Sequence, residues 1–154
     1  MKFSGEIAVG AQREVVFAKL QDIHFFASCI DGVRELTPLD EKRFDAVLET
    51  KVAYMTFKFK VTVELTEVRP PELIAAKIEG TPMGLVGRLT ATSATRLIEA
   101  GGQTIIQYEI DTALTGKLGS IGQPVLKAKA RDMEKQFAKN LGAAFAPATA
   151  PGAA

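Results

Sequence analysis

The alternation of apolar and polar positions predicts a chain built mainly of strands and closed by one long helix. From Lys2 to Val9, the residues Phe3, Gly5, Ile7 and Val9 fall on one side and Lys2, Ser4, Glu6 and Ala8 on the other, the two-residue period of a half-buried strand that ends at Gly10. The period then lengthens. Between Gln12 and Gln21 the spacing of Val16, Ala18 and Leu20, with Val15 and Phe17 beside them, predicts a short helix with Arg13, Glu14 and Lys19 outside. Asp22 is placed to cap a second short helical segment running to Ile30, and Asp31-Gly32 is a turn signal.

Strands resume after Gly32. Val33 to Leu39 is followed by Arg43 to Val52, where Phe44, Ala46, Leu48 and Val52 alternate against Asp45, Glu49 and Lys51. From Thr56 to Thr66 every odd position is apolar (Phe57, Phe59, Val61, Val63, Leu65) and every even one polar, so one face is buried and the other wet. Pro70-Pro71 breaks the chain before a strand from Leu73 to Glu79. Gly80-Thr81-Pro82-Met83-Gly84 reads as a loop, Leu85 to Glu99 as a strand, Gly101-Gly102 as a hairpin turn and Gln103 to Leu114 as its partner. In that last strand Ile106, Tyr108 and Ile110 face one way, Glu109 and Asp111 the other.

Between Gly122 and Phe145, the residues Leu126, Ala130, Met133, Phe137, Leu141 and Phe145 follow one another by three or four, a continuous stripe on one helical face. Pro124 sits near the helix start, where its missing amide hydrogen costs little. Arg131, Lys135 and Lys139 occupy the opposite face. The Ala- and Pro-rich residues 146–154 read as a flexible tail after a single domain over residues 1–145. A sheet with one apolar face has to be covered, and only this last helix carries a long enough stripe. The expected architecture is α+β: a curved antiparallel sheet of about seven strands wrapped around a long C-terminal helix, with two short helices after the first strand.

Composition narrows the function. With 19 Lys and Arg against 18 Asp and Glu, no overall field steers the chain towards nucleic acid. The single Cys29 has no partner for an internal disulfide, and the N-terminus has no signal-like apolar run, which together suggest the cytoplasm. No window reaches the roughly 18 apolar residues of a membrane-spanning helix. Membrane contact is therefore expected to be peripheral or made through a partner.

The interior-facing positions are mostly apolar, with Tyr108, Ser93 and Thr95 as the polar exceptions, while Glu64, Glu109 and Asp111 alternate outwards. No interior carboxylate pair is expected, which argues against acid–base catalysis. One His24 and one Cys29 cannot complete a usual metal set, and no cofactor is implied. Gly80, Gly84 and Gly87 lack the Gly-Lys-Ser/Thr of a phosphate loop and read as a flexible cavity mouth, with Met83 and Leu85 at the entrance. Small residues at Gly122 and Ala130 leave space along the helix stripe, and Met133 adapts to varied shapes. The cavity wall is assigned to Phe57, Phe59, Val61, Val63, Ile106, Tyr108, Leu126, Met133 and Phe137. The row Arg131, Lys135 and Lys139 is by default a solvated face and otherwise a docking surface for membrane or partner.

Four segments carry a family resemblance: Met1-Lys2-Phe3-Ser4-Gly5-Glu6; Cys29-Ile30-Asp31-Gly32-Val33, where the family usually has a proline in place of Asp31; the strand Thr56 to Leu65 leading to Pro70-Pro71-Glu72; and Gly116-Lys117-Leu118-Gly119-Ser120-Ile121-Gly122. In their order, over roughly Met1 to Phe145, the chain resembles the carbon monoxide dehydrogenase family CoxG, within the START, polyketide-cyclase and Bet v 1-like superfamily (SRPBCC). The resemblance implies the helix-grip fold. It also implies a role beside molybdenum-containing dehydrogenases, as membrane recruiter or as carrier of a lipophilic molecule such as a quinone.

The sequence thus points to a non-catalytic protein that holds a quinone or lipid, with Tyr108 donating its hydroxyl hydrogen to the ligand, at the inner face of the cell membrane. Two alternatives stand beside it. One is an adaptor that recruits the dehydrogenase through its surface without a ligand, and the other a small cyclase or hydrolase using Tyr108 and water.

Overall fold

The computed structural model describes residues 2–52 and 54–145 of the chain. The first strand, β1 (Lys2–Val9), leads into α1 (Arg13–Gln21) and α2 (Ile23–Ser28). Six strands follow: β2 (Val33–Pro38), β3 (Arg43–Val52), β4 (Met55–Arg69), β5 (Leu73–Pro82), β6 (Gly87–Ala100) and β7 (Gln103–Gly116). A 3-10 turn (Lys117–Ile121) then delivers the chain to α3 (Gln123–Phe145). All seven strands lie in one sheet in the order β1-β7-β6-β5-β4-β3-β2, and every pairing is antiparallel. The alternation read from the sequence is the burial pattern observed: in β1 and β4 the odd residues turn inward and the even ones are exposed.

Local chemistry sets the ends of the elements. Asp22 accepts hydrogen bonds from the His24 amide at 3.0 Å and the Phe25 amide at 3.5 Å, satisfying donors that open α2. A register shift between Leu65 and Glu67 bends β4 near its far end, which helps curl the sheet.

Two expectations from the sequence need correction. Residues 80–82 belong to β5 instead of a loop, despite Gly80 and Pro82. Met83 donates to the Lys58 carbonyl at 2.8 Å, so by alternation Pro82 turns its nitrogen away from β4. On that other side β6 pairs with β5 only as far as Gly80, and the hydrogen that proline lacks has no ladder partner to lose. Gly122 is not part of the helix stripe. It sits between the 3-10 turn and α3 at φ 100°, a left-handed backbone that redirects the chain. The tail assigned to residues 146–154 lies outside the described residues.

The core is divided. At one end Val9, Val16, Phe17, Leu20, Cys29, Leu97, Ile106, Leu141 and Phe145 form a buried cluster that joins α1, α2 and the C-terminal half of α3 to the sheet. Asn140 Nδ2 reinforces it by donating to the Cys29 carbonyl at 3.0 Å. At the other end Val52, Phe57, Phe59 and Leu118 form a second cluster, with Leu48, Val61, Leu85, Leu114 and Ile121 packed against it. Among the described residues, no helix is long and apolar enough to cross a membrane.

Candidate ligand-binding site

Between the two clusters the concave face of the sheet is only half-buried. Tyr108, Ile110 and Thr112 on β7, Ser93 and Thr95 on β6, Ala76 and Ile78 on β5, and Val61 and Val63 on β4 all keep part of their surface. The register sets Thr95 opposite Tyr108, Ser93 opposite Ile110 and Ala76 opposite Ser93, so the middle of the sheet presents short or hydroxyl side chains. Above it, Leu126, Ala130, Met133 and Phe137 of α3 are likewise half-buried. The helix makes its close backbone approaches to β1 and β3, near the two sides of the curled sheet. The central strands pass beneath it at greater distance.

One polar pair crosses this interior. The Tyr108 hydroxyl donates to the Glu134 carboxylate on α3. Gly5 makes the reach possible: it lies across the β1–β7 ladder from Tyr108, and a Cβ there would meet Tyr108 Cζ at 2.7 Å and Glu134 Oε2 at 3.1 Å. Burial, followed by the hydrogen bond and the negative charge of Glu134, pushes the Tyr108 phenol well above its ordinary range. At neutral pH the phenol therefore remains protonated, a hydrogen-bond donor and a poor base or nucleophile.

Glu134 escaped the sequence reading. Strand alternation correctly placed Glu64, Glu109 and Asp111 on the outer face, where all three are exposed, but the inward acid comes from the helix. Its signal was present: Glu134 is four residues after Ala130 and three before Phe137, on the flank of the apolar stripe, and a glycine faces the one inward tyrosine.

The residues assigned to the cavity wall divide into two groups. Val61, Val63, Tyr108, Leu126, Met133 and Phe137 surround the half-buried middle. Phe57 and Phe59, stacked with ring centroids 6.2 Å apart, are buried in the second cluster, and Ile106 is buried in the first. Leu85 packs against the second cluster, while Met83 beside it is exposed. His24 is exposed and Cys29 buried, and burial raises the Cys29 thiol pKa. No group of three or more metal-ligating side chains occurs among the described residues. Arg131, Lys135 and Lys139 are all exposed on α3.

The end of the molecule beyond the second cluster has a distinct surface. Tyr54 is 98% exposed, Val86 77%, Met55 59% and Met83 46%. Hydrogen bonds from Met83 N–H to the Lys58 carbonyl and from Lys117 N–H to the Val86 carbonyl gather the contributing segments at one tip. Lys51, Lys58, Arg88 and Lys117 are exposed around it, and no Asp or Glu occurs in residues 50–60, 80–90 or 112–131. Two clefts open elsewhere. One of about 440 Å³ is lined by Arg13, Arg69, Glu72, Arg96 and Glu99, and another of about 410 Å³ runs along the outer face of β1, β7 and β6.

A conserved protein from Geobacillus kaustophilus superposes with a TM-score of 0.86 at 24% identity, covering 95% of both chains. A START superfamily protein from Mycobacterium smegmatis gives 0.72 at 12% identity, covering 94% of this chain and 96% of that one. The Zhui aromatase/cyclase from Streptomyces sp. R1128 gives 0.66 at 16% identity, covering 99% and 98%. These likenesses establish the START-like helix-grip fold. No curated protein matches the chain. The model of the CoxG family, named for a subunit of carbon monoxide dehydrogenase, matches residues 5–146, nearly all of the described chain, and the protein belongs to that family.

Proposed function

We propose that this protein is a non-catalytic carrier that holds an apolar small molecule, a quinone or a lipid, between the middle of the sheet and α3. It would serve a molybdenum-containing dehydrogenase of the carbon monoxide dehydrogenase type at the membrane. The observation that carries the reading is the divided core. Tight packing at both ends and half-buried, short side chains in the middle are what a protein with room for a guest requires. Family membership supports the accessory role.

The cationic tip supports the membrane side of the proposal. Exposed Tyr54, Met55 and Val86 offer apolar and amphipathic groups for the headgroup region, and each nearby Lys or Arg adds roughly 1 kcal/mol at an anionic surface. The row Arg131, Lys135 and Lys139 provides a second cationic surface for membrane or enzyme. A ligand-free adaptor would use these two surfaces alone. The cyclase or hydrolase alternative would depend on Tyr108 and Glu134, but a phenol held protonated serves poorly as a base or nucleophile.

Solvent extraction and mass spectrometry of protein purified from its native host tests the carrier reading. A stoichiometric quinone or lipid is the expected result. An empty extract, with a large dehydrogenase co-purifying, would leave the adaptor.

A further inference from the structure

We infer that the interior site selects an apolar molecule carrying a hydrogen-bond donor, a hydroxyl or an ammonium, over the same skeleton offering only acceptors. The inference rests on the carrier reading and deepens it. A phenol has one hydrogen, and Tyr108 commits it to Glu134. The pair then presents lone pairs to a ligand, on the phenolic oxygen and on the rest of the carboxylate. Among the described residues Tyr108 is the one hydrogen-bond or ion-pair partner of Glu134. Both side chains are only half-buried, so these lone pairs are not sealed off.

An ionised carboxylate accommodates about four hydrogen bonds, so Glu134 is under-satisfied. A hydroxyl or ammonium from a ligand would supply a charge-assisted bond and replace the water displaced on binding. A carbonyl or ether oxygen in the same place would remove that water, return no hydrogen and set lone pair against lone pair. Thr95 and Ser93 do not reverse the preference, because a hydroxyl can either donate or accept. Ala130 and Phe137, one helical turn to either side of Glu134, make the surroundings apolar and suit an apolar ligand body. Gly5 holds the arrangement by leaving the phenol its path across β1. Of the ligand classes proposed above, the dihydroxy form of a quinone should be held in preference to the dicarbonyl form.

The test uses 2-naphthol and 2-methoxynaphthalene, which share a ring system and differ in the donor hydrogen. The chain contains no tryptophan, so naphthalene fluorescence reports binding without that background. Wild-type protein is expected to bind the naphthol at least about tenfold more tightly than the ether. In Glu134→Gln the ratio should fall to about twofold or less. In Tyr108→Phe, which keeps the carboxylate, it should persist. Circular dichroism of both variants confirms that they fold. Equal wild-type affinities, or a ratio unchanged in Glu134→Gln, would overturn donor selection while leaving the carrier intact. Binding of neither probe would remove the carrier reading and this inference together.

Discussion

Gly5 and Tyr108 face each other across the β1–β7 ladder so closely that the glycine's missing side chain is the space the phenol uses to reach α3. A methyl group there must displace the ring. Gly5→Ala should therefore lower stability by about 1–3 kcal/mol, the range for overpacking, as measured by urea unfolding. In a Tyr108→Ala background the same substitution should cost much less, since the ring it strikes is gone. Equal costs in the two backgrounds would mean that the glycine is not making room for the tyrosine.

Tyr108 also predicts an alkaline limit. Its pKa is raised in the folded chain, whereas an unfolded tyrosine ionises near pH ~10. Above that value the unfolded state releases a proton that the folded state retains, so stability is fully present below about pH 10 and declines as pH rises towards the folded value. Wild-type protein should lose stability more steeply than Tyr108→Phe in this window. Parallel curves would show that the phenol titrates alike in both states.

Much of this architecture was legible because a strand with one wet face writes its burial directly into alternate residues. Thr56 to Thr66 shows it best: the odd residues are those that turn inward, and the strand extends only a few residues beyond this segment at either end. Where one residue answers to two constraints, the pattern misled. Pro82 reads as a breaker, yet its nitrogen turns away from β4 where β6 no longer pairs. Gly122 reads as a gap in an apolar stripe but serves backbone direction. Glu134 was hidden for a different reason. A stripe defined by apolar residues excludes the charged residue on its flank, and only the position of Tyr108 on a distant strand gives that residue a purpose. Likewise, alternation identified Phe57, Phe59 and Ile106 as inward but could not tell the packed ends of the interior from its middle.

Cys29 provides a local probe of the first cluster. It is 2% exposed and burial raises its pKa, so both access and thiolate content are low. Reaction with a thiol reagent at pH 8 should be at least ~100-fold slower in native protein than in urea-unfolded chain. Rapid native labelling would mean that the end holding α2 opens readily.

Asn140 ties α3 to the segment after α2 through the Cys29 carbonyl. Asn140→Ala should cost about 1–2 kcal/mol in urea unfolding. A neutral result would assign the anchoring to Leu141 and Phe145 alone.

The tip makes a prediction of its own. Flotation with anionic liposomes should recover wild-type protein, and Tyr54→Ser combined with Val86→Ser should reduce the bound fraction about fivefold or more. Equal recovery with neutral liposomes would dismiss the cationic contribution. An undiminished double variant would shift docking to the row Arg131, Lys135 and Lys139.

The separation of the core into two anchors bears on how the molecule responds to filling. Something apolar lodged midway along the strands would cover surface that water already wets, leaving each anchor as it was. Loading should then register as a higher melting temperature with little change in secondary structure, so that heat resistance tracks cargo while shape does not.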